Sequence, residues 1–127
     1  MPVANGELMG QTLRFQEILR RLAIVDEGLA GDQAGLGLGL PEAWVLDPKT
    51  AALVRLGVLA AIGSPAARLE SSTTRALAAG ASADEITDVL LAIASVAGLG
   101  RAADAAPGVA DALGYDVEAA LYEPDDH

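Results

Sequence analysis

Cysteine is absent from all 127 residues, which excludes disulfides, thiolate nucleophiles and thiolate metal sites. Histidine occurs once, as His127, the last residue. Aromatic residues make up only 3% of the chain although 52% of it is hydrophobic, so alanine, leucine and valine carry the apolar interior. A core of that kind needs close backbone contacts, which suits packed helices and a subunit that covers part of its apolar surface with copies of itself. Basic residues are few: 8 Lys and Arg stand against 18 Asp and Glu, for a net charge of −10. That balance speaks against nucleic acid, whose phosphates require clustered Lys and Arg, and against an anionic membrane surface. No long hydrophobic run is present. The longest, Val54 to Ile62, is interrupted by Arg55 and is far shorter than the roughly 18–20 residues that span a bilayer. The first ten residues lack the basic start and apolar run of a signal peptide, so a cytoplasmic location is expected.

What is present repeats with a period of 3.6. Phe15, Ile18, Leu22, Val25 and Leu29 form one apolar stripe on a first helix from about Leu13 to Leu29. Gly31 to Leu40 is a glycine-rich connector. It has neither the Gly-Lys-Ser/Thr of a phosphate loop nor a strand before it, so it reads as a link. Asp47-Pro48 marks a helix start, with Asp47 as cap and Pro48 in the first turn. From Ala51 to Ile62 that helix is apolar on nearly every side, which predicts burial at the subunit centre or in an oligomer interface, and Gly63 ends it. Pro65 opens another helix to about Ala79, stopped by Gly80. Ser82 and Glu85 form a capping box, followed by a helical face of Ile86, Val89, Leu90, Ile93 and Ala97. Gly98 and Gly100 are expected to break it. A further helix spans about Arg101 to Leu113, with Pro107 expected to disturb it and Gly114 closing it. Val117 to Tyr122 forms a last turn before an acidic tail. Nothing reads as a strand, so the expected class is all-α, in a single domain over residues 1–127.

The order of these signals is diagnostic. Leu46-Asp47-Pro48-Lys49-Thr50 opens an apolar helix. A second helix leads to Ala76-Leu77-Ala78-Ala79-Gly80-Ala81-Ser82, then Asp84-Glu85-Ile86, and an apolar helix ends in Ala97-Gly98-Leu99. Over residues 46–115 this resembles the carboxymuconolactone decarboxylase family. The resemblance implies an alkylhydroperoxidase D-like helical bundle of about six helices and assembly as a trimer or hexamer. Redox members of that family carry a Cys-x-x-Cys-x-x-x-His site and a relay glutamate on the preceding helix. Counted back from Gly80, the histidine position falls on Ser72 and the two cysteine positions on Arg68 and Pro65. Counted forward from Asp47, the first cysteine position falls on Ser64. The relay glutamate position falls on Ala52. The resemblance therefore implies a scaffold from which the peroxidatic chemistry has been removed, because thiolate attack on an O–O bond has no counterpart at serine.

The matching segment retains Arg68, Glu70, Ser71, Ser72, Thr73, Thr74 and Arg75. On a helix Arg68, Ser71, Ser72 and Arg75 share one side, and Glu70, Thr73 and Thr74 lean to another. Arg68 can grip a carboxylate with Ser72 lending a hydrogen bond, and Glu70 is the candidate general base. The competing reading is a solvated face whose Ser and Thr serve packing. Asp84, Glu85 and Asp88 are acids of a helix N-terminus, so no metal site is expected, and no cofactor. Trp44 and Tyr115 read as core or interface plugs. Three function classes stay open. The first is a non-redox homo-oligomer with a binding or structural role. The second is a cofactor-independent lyase, decarboxylase or isomerase of a small organic acid, using Arg68, Glu70 or Ser72. The third is a partner subunit docking through the Leu13–Leu29 stripe.

Overall fold

The computed structural model describes residues 13–24 and 44–122. Expectations for residues 1–10, for the end of the first helix at 25–29, for the 31–40 connector and for the 123–127 tail with His127 lie outside the described residues. Two units divide the chain, Met1–Trp44 and Val45–His127. Among the described residues there are six helices and no strand.

In the first unit, α1 is Arg14–Ala23. The Leu13 N–H donates to Gln16 Oε1 at 3.2 Å, which satisfies one of the free donors at the helix start. Glu17 accepts from Arg20 at 2.8 Å and from Arg21 at 2.9 Å, and these bonds, with Arg20 first, hold its carboxyl below the ordinary glutamate value. No residue of α1 is buried.

The second unit holds the remaining helices: α2, Pro48–Ala61; α3, Ala66–Ala78; α4, Ala83–Val96; α5, Leu99–Ala112; and α6, Val117–Leu121. Their boundaries follow from local chemistry. Asp47 accepts from the Thr50 N–H at 3.4 Å, at the long end of hydrogen bonding, with Pro48 in the first turn. Ser82 and Glu85 close the capping box in both directions, at 3.0 and 2.9 Å. Gly80 stops α3 at φ 102°, a region that costs glycine nothing and other residues a steric clash.

One boundary departs from expectation. Gly98 alone makes the break between α4 and α5, at φ 104°, and α5 begins at Leu99, so Gly100 lies inside the helix. A single positive-φ residue is enough to redirect the chain. The propensity penalty of Gly100, about 1 kcal/mol, is outweighed by the burial of Ala102, Ala105 and Val109 on the same helix. Pro107 also sits within α5 without ending it.

The core is built of small side chains around a few larger ones. Leu56, Leu69, Ile86 and Val109 are fully buried, and Ala51, Ala60, Ala76 and Ala105 fill the space between them. α2 packs on α3, α4 and α5, and α5 packs on α3 and α4. Within the single chain α2 is buried on one side: Ala51, Ala52, Leu56 and Ala60 face inward, while Val54, Val58 and the capping residue Ile62 stay exposed, so the subunit centre does not cover all of its apolar surface. Tyr115, expected as a core or interface plug, is exposed in the single chain and is not part of the core. Lys49 at the start of α2 bonds Glu85 at the start of α4 at 3.0 Å, which ties the two helix starts together.

The tightest approach is between α5 and α3. A Cβ placed on Gly108 would lie 2.9 Å from the Ala66 carbonyl oxygen and 3.4 Å from Leu69 Cβ. Gly108→Ala should therefore reverse the usual gain of replacing a helical glycine. The expected outcome is a loss of about 1–3 kcal/mol from overpacking, read as a lower midpoint in thermal or urea unfolding.

The ends of α2 and α4 give a pH dependence. The Ser82 N–H and then Lys49 hold the Glu85 carboxyl below its ordinary value of 4.5. A depressed folded-state value contributes stability that is present above the unfolded value and lost as pH falls through the lowered one. Urea titrations of wild type and Glu85→Gln should differ at pH 7 and converge as pH drops below that ordinary value. A constant difference down to pH 3 would show that the charge contributes nothing.

Candidate functional site

Polar residues run along one side of α3. Arg68, Ser71, Ser72 and Arg75 stand at i, i+3, i+4 and i+7, a stripe of two turns, on the order of 10 Å long. The adjoining side of α3 is anchored by Leu69, Thr73 and Ala76, all buried. The Thr73 hydroxyl donates to the Leu69 carbonyl at 2.7 Å, so Thr73 turns inward and is satisfied within its own helix. That anchoring sets the rotation of α3. Its stripe faces Ala52, Arg55 and Leu59 of α2, and the seven residues line a cleft of about 340 Å³.

The walls hold three guanidiniums, two hydroxyls, one methyl group and one leucyl side chain. Among the described residues no lining residue is acidic and none is histidine. The chain has seven arginines and one lysine in 127 residues, so three of eight basic side chains meet at one place on a molecule of net charge −10. Among the described residues no carboxylate comes within ion-pair distance of Arg68 or Arg75. Ser72 is 9% exposed as a residue, and its hydroxyl makes no hydrogen bond to any described residue. Among the described residues no buried side-chain oxygen lacks a partner, so the Ser72 oxygen is open to solvent on the cleft wall. Arg68 and Arg75 therefore offer permanently charged donors to the cleft, with the Ser72 hydroxyl beside them.

The residues singled out from sequence are distributed as follows. Arg68 and Ser72 line the cleft, and Ala52 lies across from them on α2. These are the positions at which the resemblance places the second cysteine, the histidine and the relay glutamate. Glu70, the candidate general base, is exposed and is not a lining residue. Neither Trp44 nor Tyr115 lines the cleft. Sequence reasoning passed over Arg55, which registered only as the one charge in an apolar helix. The signal was available: Arg55 is one helical turn beyond Ala52 and so shares its face. Arg75 and Ser71 were placed on the right side of α3 without being chosen.

With fold and cleft in place, comparison with known proteins identifies the lineage. The sequence model of the carboxymuconolactone decarboxylase family matches residues 36–112, and the chain belongs to that family. The all-helical architecture is consistent with the family's fold. No match is found among curated proteins, and none among solved structures. The absence of cysteine from the sequence removes thiol-dependent peroxide reduction. Among the described residues no group of three His, Asp or Glu is placed to hold a metal ion, and no helix is long and apolar enough to cross a membrane.

Proposed function

We propose that this chain is a non-redox carboxymuconolactone decarboxylase-like protein that binds a small organic anion in the cleft between α2 and α3 and assembles with copies of itself. The observation that carries the binding role is that Arg68 and Arg75 line one cleft, with Arg55 across from them on α2, and that no described lining residue is acidic. Arg68 and Arg75 are like charges on one helix face, and an anion relieves their repulsion while accepting their hydrogen bonds. The cleft serves binding better than proton transfer. Arginine keeps its proton throughout the physiological range, and a serine hydroxyl is a weak nucleophile without a base beside it. Glu70, the one acid offered for that role, lies off the cleft.

Assembly is supported by a second feature. α2 and α4 together form an apolar groove of about 370 Å³ whose walls include Leu53, Val54, Gly57, Val89, Ile93 and Val96. Val54 and Val58 are about half exposed and Val96 is almost fully exposed. A contiguous apolar face of this kind marks an interaction surface. A trimer or hexamer is the form that family membership favours.

The binding role is tested by titrating small carboxylates and phosphate into the protein by calorimetry. Arg68→Ala should weaken binding about tenfold or more, as expected when a charge-assisted hydrogen bond is lost. Ser72→Ala should weaken it less. Unchanged affinity in both variants would sink the proposed site. Assembly is tested by light scattering: a mass that is a multiple of 12.8 kDa is expected for wild type and a lower one for Val54→Glu. A wild-type mass of a single chain would end the oligomer reading.

A further inference from the structure

Among the described residues two apolar surfaces are left open, one side of α1 and the α2–α4 groove. We infer that α1 of one copy lies in the α2–α4 groove of a second copy, so that the groove is an interface between copies of this chain. This inference rests on the assembly reading above and names the segment that the second copy brings.

Shape comes first. Phe15, Ile18, Leu19 and Leu22 stand at i, i+3, i+4 and i+7 of α1, the anchor spacing of an amphipathic helix that lies in an apolar groove. None of them is buried, and Phe15 and Leu19 are more than half exposed. From Phe15 to Leu22 the anchors run on the order of 10 Å along the helix axis. Val89 and Val96 on the groove wall have the same separation in α4, so the two apolar surfaces are equal in length. Charge comes second. α1 carries three arginines and one glutamate on a chain of net charge −10. The first two turns of α4 carry Asp84, Glu85 and Asp88, and Asp88 stands one turn before Ala92 of the groove wall. Arg14 and Asp88 have no ion-pair partner among the described residues. Each directly precedes an apolar contact residue, Phe15 on α1 and Val89 on α4. A helix laid with Phe15 by Val89 and Leu22 by Val96 therefore brings Arg14 to Asp88, opposite charges at the rim of an apolar contact. The third point is that every chain carries both halves. A contact between two different patches of the same molecule runs head to tail, and such contacts close into rings, in keeping with the trimer or hexamer that family membership favours.

The absence of cysteine from the chain makes a cross-linking test specific. Full-length Leu19→Cys and Val96→Cys are co-expressed, treated with a short bismaleimide and separated on a denaturing gel, and each is also treated alone. Light scattering gives the mass of wild type, Leu19→Glu and Gln16→Glu, with circular dichroism to verify that each is folded. The inference expects covalent dimers from the co-expressed pair that neither protein yields alone. It expects Leu19→Glu to raise the dissociation constant of the assembly at least about tenfold, read as a lower mass at equal concentration. Gln16→Glu keeps an acceptor for the Leu13 N–H and lies off the anchor side, so its mass should match wild type. The cysteine pair, a milder change, decides the matter if Leu19→Glu loses its fold. An unchanged mass for folded Leu19→Glu, or no mixed dimer from the assembled pair, overturns the inference and leaves the assembly reading standing, with the copies meeting through other surfaces. A wild-type mass of a single chain overturns both readings, and a cross-link confined to one chain in Leu19→Cys/Val96→Cys then shows α1 covering its own groove.

Discussion

Close approach between helices is the constraint from which the remaining features of the second unit follow. With few aromatic residues to fill space, the interior closes only if backbones come near one another, and alanine and glycine set how near. Gly108 is the sharpest case, since the Ala66 carbonyl of α3 occupies the place that a side chain would need. Gly57 plays a milder part on the other flank, where a Cβ would meet Val89 at 3.3 Å. These contacts seat α3 at its first turn, with Leu69 and Thr73 directed inward. Once α3 is seated with that rotation, the direction of Arg68, Ser72 and Arg75 is no longer free. The cleft is a by-product of how the core closes, and its geometry is as firm as the core.

The chemistry of the cleft differs in kind from the redox chemistry that the family resemblance places there. Thiol, imidazole and carboxylate are groups that change protonation or oxidation state during a reaction. Guanidinium, hydroxyl and methyl hold their state across the ordinary pH range. Ala52, Arg68 and Ser72 stand together at the cleft, and these are the positions to which the resemblance assigns the relay glutamate, the second cysteine and the histidine. On a chain of net charge −10 the cleft gathers Arg55, Arg68 and Arg75, so its local charge is opposite in sign to that of the molecule as a whole.

Much of the fold was legible because the signals are local. Asp47-Pro48, the Ser82–Glu85 box and Gly80 each act within one helical turn, so their outcome depends on little else. The start of α5 was not legible, because Gly98 and Gly100 look equivalent in sequence and only tertiary burial of Ala102 and Ala105 decides which of them breaks the chain. Which side of α2 the single subunit buries was not legible for a related reason: composition reports that a helix is apolar, not how many neighbours one subunit can give it. At the cleft, helical phase grouped Arg68, Ser71, Ser72 and Arg75 correctly. The choice of Glu70 followed its chemical type instead of that phase, and Arg55 could be joined to the group only by knowing which face of α2 meets α3.

The seven described residues of the cleft fall between Ala52 and Arg75, within two consecutive helices and the short turn at 62–65 that joins them. That part of the lining belongs to one continuous hairpin. Exchanging a single stretch of sequence would replace all of it, while the Ser82–Glu85 cap and the apolar face of α4 would keep their residues.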